Sequence, residues 1–290
     1  MQTLTVSIVN FNSGDYIFNC LNSLDHIKDE INLEIYIVDN GSTDDSFKKI
    51  KQKFPKYHFI SNDENLGFGR AHNLVLKKAT SEYILILNPD TEVKKGALSY
   101  MTHFLDENPD VGAASSKVLL DNGNFDWASH RGFPTPLAAF FYYVLGDDSL
   151  YHLTKKDLTK THEVDAISGA FFLTRKSVLD KVGYFDEDFF MYGEDIDLCF
   201  RIKEAGLRVM YLPEVTIIHH KGVSSGLKKH SQEITTADLE TKKRSVNAFY
   251  KAMQIFYKKH YSKTNLFFIN WLVNFGIYIK WWLAKRKLIV

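Results

Sequence analysis

The chain has 290 residues, of which 45% are hydrophobic, 14% aromatic and 24% charged. This composition excludes an intrinsically disordered chain, a collagen and a disulfide-stapled miniprotein. The formal net charge is +1, but no Asp or Glu follows Glu240 while eleven Lys and Arg do, so residues 1–240 carry −10 and the last fifty carry +11. We therefore expect a domain at 1–240 and a basic, aromatic, helical extension at 241–290.

The first ninety residues repeat a strand, a polar loop and a helix. The predicted strands are Leu4–Asn10, Leu33–Val38, His58–Ser61 and Tyr83–Leu87, and the predicted helices are Tyr16–Leu24, Ser46–Phe54 and Gly69–Thr80. This spacing predicts right-handed βαβ units and an α/β fold with a mostly parallel sheet flanked by helices. Ligands of such sheets bind beyond the carboxyl ends of the strands. We therefore expect one crevice to be formed by the loops Asn10–Asp15, Asp39–Asp45, Asn62–Arg70 and Asn88–Thr91.

The second half of the domain contains one aperiodic stretch, residues 121–163. A helix at Lys95–Asn108 and a strand at Val111–Leu120 precede it; a strand at Val164–Thr174, a helix at Ser177–Val182 and a strand at Arg208–Leu212 follow it. Within the stretch, the apolar run Leu137–Leu145 is interpreted as a buried helix, with a groove or lid for an apolar acceptor as the alternative.

Polar residues after two strands are the first candidates for a ligand site. Asp39 ends an apolar strand and can accept hydrogen bonds from a nucleobase or ribose, or it can cap the helix that follows. Asn88 and Asp90 flank Pro89 after the most apolar strand. One carboxylate and one amide oxygen suit Mg²⁺ or Mn²⁺ that takes its other ligands from phosphates and water, and a simple Asx-Pro turn is the alternative.

Two helix starts carry further candidates. Gly67 and Arg70 open a helix that can bind an anion, although the third glycine of a dinucleotide fingerprint is missing. Glu194 and Asp195 begin a helix after an aromatic run, and the helix dipole favours an ionised carboxylate that can accept a proton. An ordinary acidic first turn is the alternative, but acids among apolar neighbours are costly unless they are used or paired.

Tandem histidines follow the strand-like segment Val215–Ile218. One imidazole of His219 and His220 could complete a metal or diphosphate site, or the pair could be one core and one surface residue. The two cysteines, Cys20 and Cys199, are isolated, and this isolation predicts a reducing, cytoplasmic compartment.

The ordered motifs of the chain resemble glycosyltransferase family 2, which has the GT-A fold, and above all its bacterial rhamnosyltransferase-like members. The resemblance covers residues 3–225 and rests on SIVNFNS, VDNGSTD, ENLGFGRAHN, ILNPDTEV, SGAFFLTR, DEDFFMYGEDIDLCFR and HHKGVSS. It implies inverting transfer of a sugar from a dTDP- or UDP-sugar to a hydroxyl of a carbohydrate or lipid-linked saccharide, with Mg²⁺ or Mn²⁺ as cofactor.

The resemblance also implies roles for residues by position. It makes residues 1–92 the nucleotide-sugar-binding half and residues 93–240 the acceptor-binding half, with Asp195 as the catalytic base and Glu194 contacting the acceptor or supporting Asp195. Asn88-Pro89-Asp90 takes the place of the DxD motif, so Asp90 is the main metal ligand and His219 and His220 are further candidates. The implied nucleotide-sugar contacts are Asn10, Asn12, Asp39, Asn40, Gly67, Arg70, Asn88 and Asp90.

Two other functions are alternatives to a transferase. A sugar-nucleotide pyrophosphorylase would need a Gly-rich, Arg-bearing phosphate loop after the first strand, where the chain has Asn10-Phe11-Asn12-Ser13. A non-catalytic polysaccharide-binding or assembly subunit is favoured only by Asn88, whereas Asp90, Glu194 and Asp195 are intact.

The extension is the candidate for a membrane contact. Residues 266–284 approach the length of a membrane span, but Asn270, Asn274 and Lys280 interrupt their apolar content. A helix lying in the interface, on the cytoplasmic face of an anionic membrane, fits this pattern better than a spanning one. The alternative is a helical hairpin packed on the domain or on a second subunit of a homodimer, and the long apolar stretches argue against nucleic acid.

Overall fold

The computed structural model describes residues 3–220 and 239–288. Its strands are β1 (Thr3–Asn10), β2 (Asn32–Asn40), β3 (His58–Asn62), β4 (Tyr83–Leu87), β5 (Thr91–Val93), β6 (Val111–Leu119), β7 (His130–Arg131), β8 (His162–Val164), β9 (Ala166–Ile167), β10 (Phe171–Arg175) and β11 (Arg208–His219). Its helices are α1 (Tyr16–Asp25), α2 (Ser46–Lys53), α3 (Phe68–Leu76), α4 (Ala97–Glu107), α5 (Pro136–Phe140), α6 (Lys176–Val182), α7 (Glu194–Glu204), α8 (Leu239–His260) and α9 (Phe267–Lys287). A π-helical turn, Phe141–Leu145, continues α5. Residues 221–225 of the last resemblance motif and residues 289–290 of the extension lie outside the described residues.

The central sheet has the strand order β3-β2-β1-β4-β10-β6-β11-β5, and β8 also pairs with β11. The first four strands are parallel, as the βαβ pattern predicts, and their register sets Asn10 beside Asp39 at the carboxyl ends of β1 and β2. Beyond β4 the sheet is mixed, because β10 runs antiparallel to both β4 and β6, and β5 and β8 run antiparallel to β11. The fold is therefore α/β, with the parallel half at the amino terminus.

Strand β4 shows why its sequence, YILIL, lacks any polar alternation. All five side chains are fully buried, because helices cover both faces of the sheet. Tyr83, Leu85 and Leu87 join the core that contains α1 and α4, whereas Ile84 and Ile86 join the core that contains α6 and α7. A strand between two cores ends in a loop whose position is tightly fixed, and that loop contains Asn88 and Asp90.

The segment predicted as one strand, Val164–Thr174, is divided among three strands. β8 pairs with β11, β9 pairs with β7 outside the central sheet, and β10 enters the sheet between β4 and β6. The single-strand prediction is wrong because the small residues at its centre, Ser168 to Ala170, form a turn. A Cβ on Gly169 would lie 2.9 Å from the ring of Phe68, so this turn packs closely on α3.

The apolar run Leu137–Leu145 is helical, as predicted, but the prediction that it is buried is wrong. Leu137, Phe140, Val144 and Leu145 are between 50% and 64% exposed. Of this run only Ala138 is buried, because the segment directs its large side chains away from both core clusters. This apolar run therefore forms an exposed apolar surface of the protein and not a part of its core.

The first helix of the extension is part of the domain's core. Ala252 and Phe256 of α8 belong to the same buried cluster as α7. The His260 imidazole lies 2.7 Å from an oxygen of Asp197, a buried carboxylate on α7 that also pairs with Arg201.

The second helix of the extension, α9, rests on α8 along one face, where Trp281 Nε1 donates to Asn247 Oδ1 at 2.9 Å. The boundary predicted at 240/241 stays a prediction, but α8 packs as an element of the preceding domain.

A substitution at His260 tests this packing. His260→Ala removes the partner of one oxygen of Asp197, whose side chain is 1% exposed, so we expect a loss of about 1–3 kcal/mol in the free energy of unfolding. The melting temperature should fall by several degrees relative to Lys258→Ala, an exposed position on the same helix. Equal melting temperatures of the two variants would contradict the buried pairing.

In the part of the chain that the structure describes, no helix combines the length and the apolar content that crossing a bilayer requires.

Candidate active site

The carboxyl ends of β1 and β2 are joined by a buried amide and a buried acid. Asn10 Nδ2 donates to Asp39 Oδ1 at 2.8 Å, and the Ser42 backbone N–H donates to Asp39 Oδ2 at 3.2 Å. Asp39 does not cap the next helix, since the residue at the N-cap of α2 is Asp45. The Asp39 carboxylate is thus fixed at the strand end, and its contact with a nucleobase or ribose stays a prediction.

Two further asparagines connect the loops of the parallel half. Asn12, with a left-handed φ of 51°, accepts hydrogen bonds through Oδ1 from the backbone N–H groups of Thr43 and Asp44. Asn40 Nδ2 donates to Asn65 Oδ1 at 3.0 Å, while its Oδ1 accepts from the Leu66 N–H. These side chains bring three predicted loops into one crevice wall, and direct contacts with a nucleotide remain predictions for both.

The glycine-opened helix contacts the segment that leads to α7. Gly67 has a φ of 88°, and a Cβ there would lie 2.2 Å from the Phe190 carbonyl oxygen. Arg70 Nε donates to the Glu187 carbonyl at 3.2 Å, and its half-exposed side chain also faces the Glu187 carboxylate. Gly67 therefore permits a close backbone contact, while the predicted anion contact of Arg70 would compete with Glu187.

One turn connects the β4 loop to the start of α7. The Asn88 backbone N–H donates to the Ala170 carbonyl at 3.0 Å, and the neighbouring Gly169 N–H donates to Asp195 Oδ2 at 3.2 Å. The structure therefore brings Asp195 beside the strand end that carries Asp90. The Asn88 side chain makes no hydrogen bond to any described residue and is open to a ligand.

Asp90 lies beside a histidine that bridges two acids. His219 Nε2 is 3.3 Å from Asp90 Oδ1, and its Nδ1 is 3.3 Å from Asp126 Oδ2. Burial lowers the pKa of His219, but the charge of Asp90 and the hydrogen bond to Asp126 outweigh it and raise the pKa to about 9. The two carboxylates favour the protonated ring, which would bring positive charge to this end of the site, and the role of His219 as a metal ligand stays a prediction.

The second histidine is turned away from Asp90. Its ring pairs with Glu92 and Asp121, and only its backbone N–H reaches Asp90, by a 2.8 Å bond to the carbonyl oxygen. Among the described residues no group of three or more His, Cys, Asp or Glu side chains is arranged to hold a metal ion. Within the described residues, the buried Oδ1 of Asp90 has the His219 ring at 3.3 Å as its polar neighbour and no further hydrogen bond. Asp90 with Asn88 fits a cation that takes most of its ligands from phosphates and water.

The two acids at the start of α7 differ in environment. Glu194 is buried, its Oε2 has no hydrogen-bond partner among the described residues, and burial together with the charge of Asp195 raises its pKa well above the usual range. Asp195 is partly exposed and accepts hydrogen bonds from the Gly169 N–H and from the Ile196 N–H. This arrangement makes Asp195 the accessible carboxylate and Glu194 a buried acid that favours its neutral form.

Arg131 is a residue of the site that sequence reasoning missed. It lies in β7, within the aperiodic stretch, and donates to the Ala128 carbonyl at 2.6 Å and to Tyr151 Oη at 3.3 Å. Its buried Nε has no hydrogen-bond partner in the described ranges. Its burial lowers its pKa, but the charges of Tyr151 and Asp195 raise it. Its positive charge also favours the ionised form of Glu194. Without periodicity or a motif around it, the sequence gives no signal for this role.

The environment of Glu194 leads to a pH-dependent prediction. Because burial raises the pKa of Glu194, the folded protein keeps this proton to a higher pH than the unfolded chain, whose Glu residues titrate at about 4.3, so stability falls as the pH rises from that value towards the pKa of the folded state. Glu194→Gln removes this cost, and its melting temperature should exceed that of the wild type by a margin that is larger at pH 8 than at pH 5. A margin that stays constant over this range in calorimetry would show that Glu194 is ionised in the folded protein.

The chain is similar to several known proteins. The chain matches the family model described as Glycosyl transferase family 2 over residues 5–183. It is 27% identical over 243 residues to N-acetylglucosaminyl-diphospho-decaprenol L-rhamnosyltransferase of Mycobacterium tuberculosis, covering 78% of each chain. It is 31% identical over 238 residues to rhamnosyltransferase WbbL of Escherichia coli, covering 74% of this chain and 82% of that one.

A solved structure supports the fold. The crystal structure of GalNAc-T7 with UDP, GalNAc and Mn²⁺ superposes with a TM-score of 0.59 at 16% identity, covering 89% of this chain and 50% of that chain. At this identity the likeness concerns the fold alone, and it matches the GT-A fold that the motifs imply.

Proposed function

The chain belongs to glycosyl transferase family 2 and is a glycosyltransferase, and on this premise we propose that it transfers a rhamnose-like deoxyhexose or another hexose, with inversion, from a nucleoside-diphosphate sugar. The acceptor is a hydroxyl of a cell-surface polysaccharide precursor or a lipid-linked saccharide. The observation that carries this proposal is the Gly169–Ala170 turn, which contacts both Asp195 and the strand end that leads to Asp90.

In the proposed reaction Asp195 is the general base. As the acceptor oxygen forms a bond to the anomeric carbon, its proton passes to Asp195, and the bond from that carbon to the diphosphate breaks with its electron pair on the diphosphate oxygen. The Gly169 N–H and the helix dipole stabilise the carboxylate of Asp195 before the reaction. Buried Glu194 and Arg131 then act as positioning residues, because they set the charge around Asp195.

The proposed donor lies across the ends of the parallel strands. Asp39 would accept hydrogen bonds from the ribose or base, and its fixed orientation follows from Asn10 and the Ser42 N–H. The imidazolium of His219 would face the diphosphate from the Asp90 side. The names of the rhamnosyltransferase relatives support a rhamnose-like sugar, and the UDP in the GalNAc-T7 complex supports a UDP-sugar, with a dTDP-sugar as the alternative that the motifs imply.

The proposed cofactor is Mg²⁺ or Mn²⁺, which when bound neutralises charge on the leaving diphosphate. Asp90 and Asn88 would hold it, since the buried Asp90 Oδ1 has only its 3.3 Å contact with His219 among the described residues and the Asn88 amide is open. The Mn²⁺ of the GalNAc-T7 complex supports this choice.

We also propose that the extension, residues 241–290, keeps the enzyme at the cytoplasmic face of a membrane.

A panel of nucleotide sugars tests the proposed function. At a concentration of about 100 times its dissociation constant, the correct donor should stabilise the protein by about 2.7 kcal/mol, visible as a thermal shift of several degrees that increases with Mn²⁺. The same donor should release its nucleoside diphosphate slowly in the absence of acceptor. A donor that shifts the melting temperature without any release would favour the alternative, a polysaccharide-binding subunit, for which Asn88 is the supporting observation.

A further inference from the structure

Helix α9 exposes far more apolar surface than a soluble protein usually leaves uncovered. Nine of its large apolar or aromatic side chains are between 38% and 84% exposed. They form two adjacent stripes: Phe267, Trp271, Tyr278 and Trp282 in one, and Phe268, Leu272, Phe275, Ile279 and Leu283 in the other. The opposite face of α9, with buried Ile277 and with Trp281, rests on α8, so residues 3–220 and 239–288 leave these stripes uncovered.

A second exposed apolar segment lies against α9. The Leu137–Leu145 segment exposes Leu137, Phe140, Tyr143, Val144 and Leu145. The Lys280 ammonium of α9 sits 4.4 Å from the centroid of the Tyr143 ring, so the two segments meet although more than 120 residues separate them in sequence. We call the exposed side chains of α9 and of Leu137–Leu145 together the apolar platform.

The charges around the platform identify the surface that covers it. Lys280, Lys285, Arg286 and Lys287 are all exposed on α9, and no acid follows Glu240 to offset them. Lys285 and Arg286 lie 4.2 Å and 4.3 Å from the rings of Trp281 and Trp282. A second copy of the chain would bring like charges together, whereas the headgroups of an anionic bilayer would neutralise them, with the aromatic rings at headgroup depth.

We propose that α9 and Leu137–Leu145 together form one docking surface for an anionic lipid bilayer. The extension alone would bind as a tethered helix, but two segments in contact fix the orientation of the domain on the membrane. Because Leu137–Leu145 follows Arg131 closely, and Phe133 packs on Phe200 of α7 at 5.0 Å between ring centroids, the docked membrane faces the acceptor side of the site. This orientation suits a lipid-linked acceptor, a consequence that rests on the proposed function, whereas the docking itself does not.

Vesicle sedimentation with the full chain tests the docking surface. We expect at least about tenfold stronger binding to vesicles of phosphatidylcholine with 30% phosphatidylglycerol than to phosphatidylcholine alone. The variant Leu137→Ser/Val144→Ser/Leu145→Ser and the variant Trp271→Ser/Phe275→Ser should each weaken binding about tenfold or more. Lys285→Ser/Arg286→Ser/Lys287→Ser should lose the preference for anionic lipid, unlike the control Lys56→Ser/Lys94→Ser/Lys95→Ser on other exposed lysines.

The outcomes separate this proposal from its competitors. Unchanged vesicle binding by the Leu137–Leu145 variant, at unchanged melting temperature, would overturn the joint surface. The wild-type protein could instead bind neither kind of vesicle and form a dimer in light scattering that the two apolar variants do not form. That result would show that a second copy of the chain covers the apolar platform. Donor hydrolysis measured without vesicles should be equal in all variants, and its absence in the wild type would refute the proposed function but not the docking.

Discussion

Asp195→Asn should reduce turnover by about 10²–10⁴-fold, or about 3–5 kcal/mol of barrier, while leaving donor affinity unchanged. The amide keeps the shape of the side chain and its contact with the Gly169 N–H, but it cannot take the acceptor proton. Because Asp195 contacts the turn beside β4 rather than the loops after β1 and β2, the donor contacts assigned to those loops should persist. Steady-state kinetics and calorimetry with the nucleotide separate the two effects.

Glu204→Gln is the matched control, since Glu204 is an exposed acid on the same helix. Its turnover and melting temperature should equal those of the wild type. If Asp195→Asn retains near-normal turnover at a normal melting temperature, Asp195 is not the base. If its turnover and its donor affinity fall together, Asp195 acts in donor binding instead.

Asp90→Asn should weaken binding of nucleoside diphosphate in the presence of Mn²⁺ by about 10–100-fold and reduce kcat/KM by at least as much. The substitution removes the one carboxylate that we assign to the cation, while Asp126 still pairs with His219. Titration calorimetry with and without Mn²⁺ should show that the two proteins differ in nucleotide affinity mainly when Mn²⁺ is present.

Asp121→Asn is the control for Asp90, because Asp121 pairs with His220 and is exposed. It should bind the nucleotide as the wild type does. An Asp90→Asn protein whose nucleotide affinity is unchanged in Mn²⁺ would remove Asp90 from the donor site.

The sequence predicts the parallel half well because its signals are local. Each apolar strand ends in a polar loop, and the loops after β1, β2 and β4 lie where that pattern places them. The insertion of β10 between β4 and β6 could not be predicted in this way, since it depends on pairings with strands far away in sequence. The break at Ser168–Ala170 follows from those pairings.

In the candidate site, too, the residues with local sequence signals can be predicted and those placed by distant contacts cannot. The sequence alone identifies Asp39, Asp90 and Asp195 as candidates because each lies at the end of a strand or the start of a helix. A carboxylate at such a position has few roles, namely capping, ligand binding or proton transfer. Arg131 has no such context, and its position follows only from the path of the chain between β6 and β8. Likewise, the exposure of Leu137–Leu145 depends on which other elements pack against it. An apolar run in the sequence does not by itself predict whether its side chains are buried or exposed.

The most direct test of the account is proton NMR of the wild-type protein with its donor and Mn²⁺ in the absence of acceptor. With water in place of the acceptor, Asp195 as base on the face opposite the leaving diphosphate predicts that the first free sugar has the anomeric configuration opposite to that of the donor. A first product with the donor's own configuration would contradict a single displacement with Asp195 as its base.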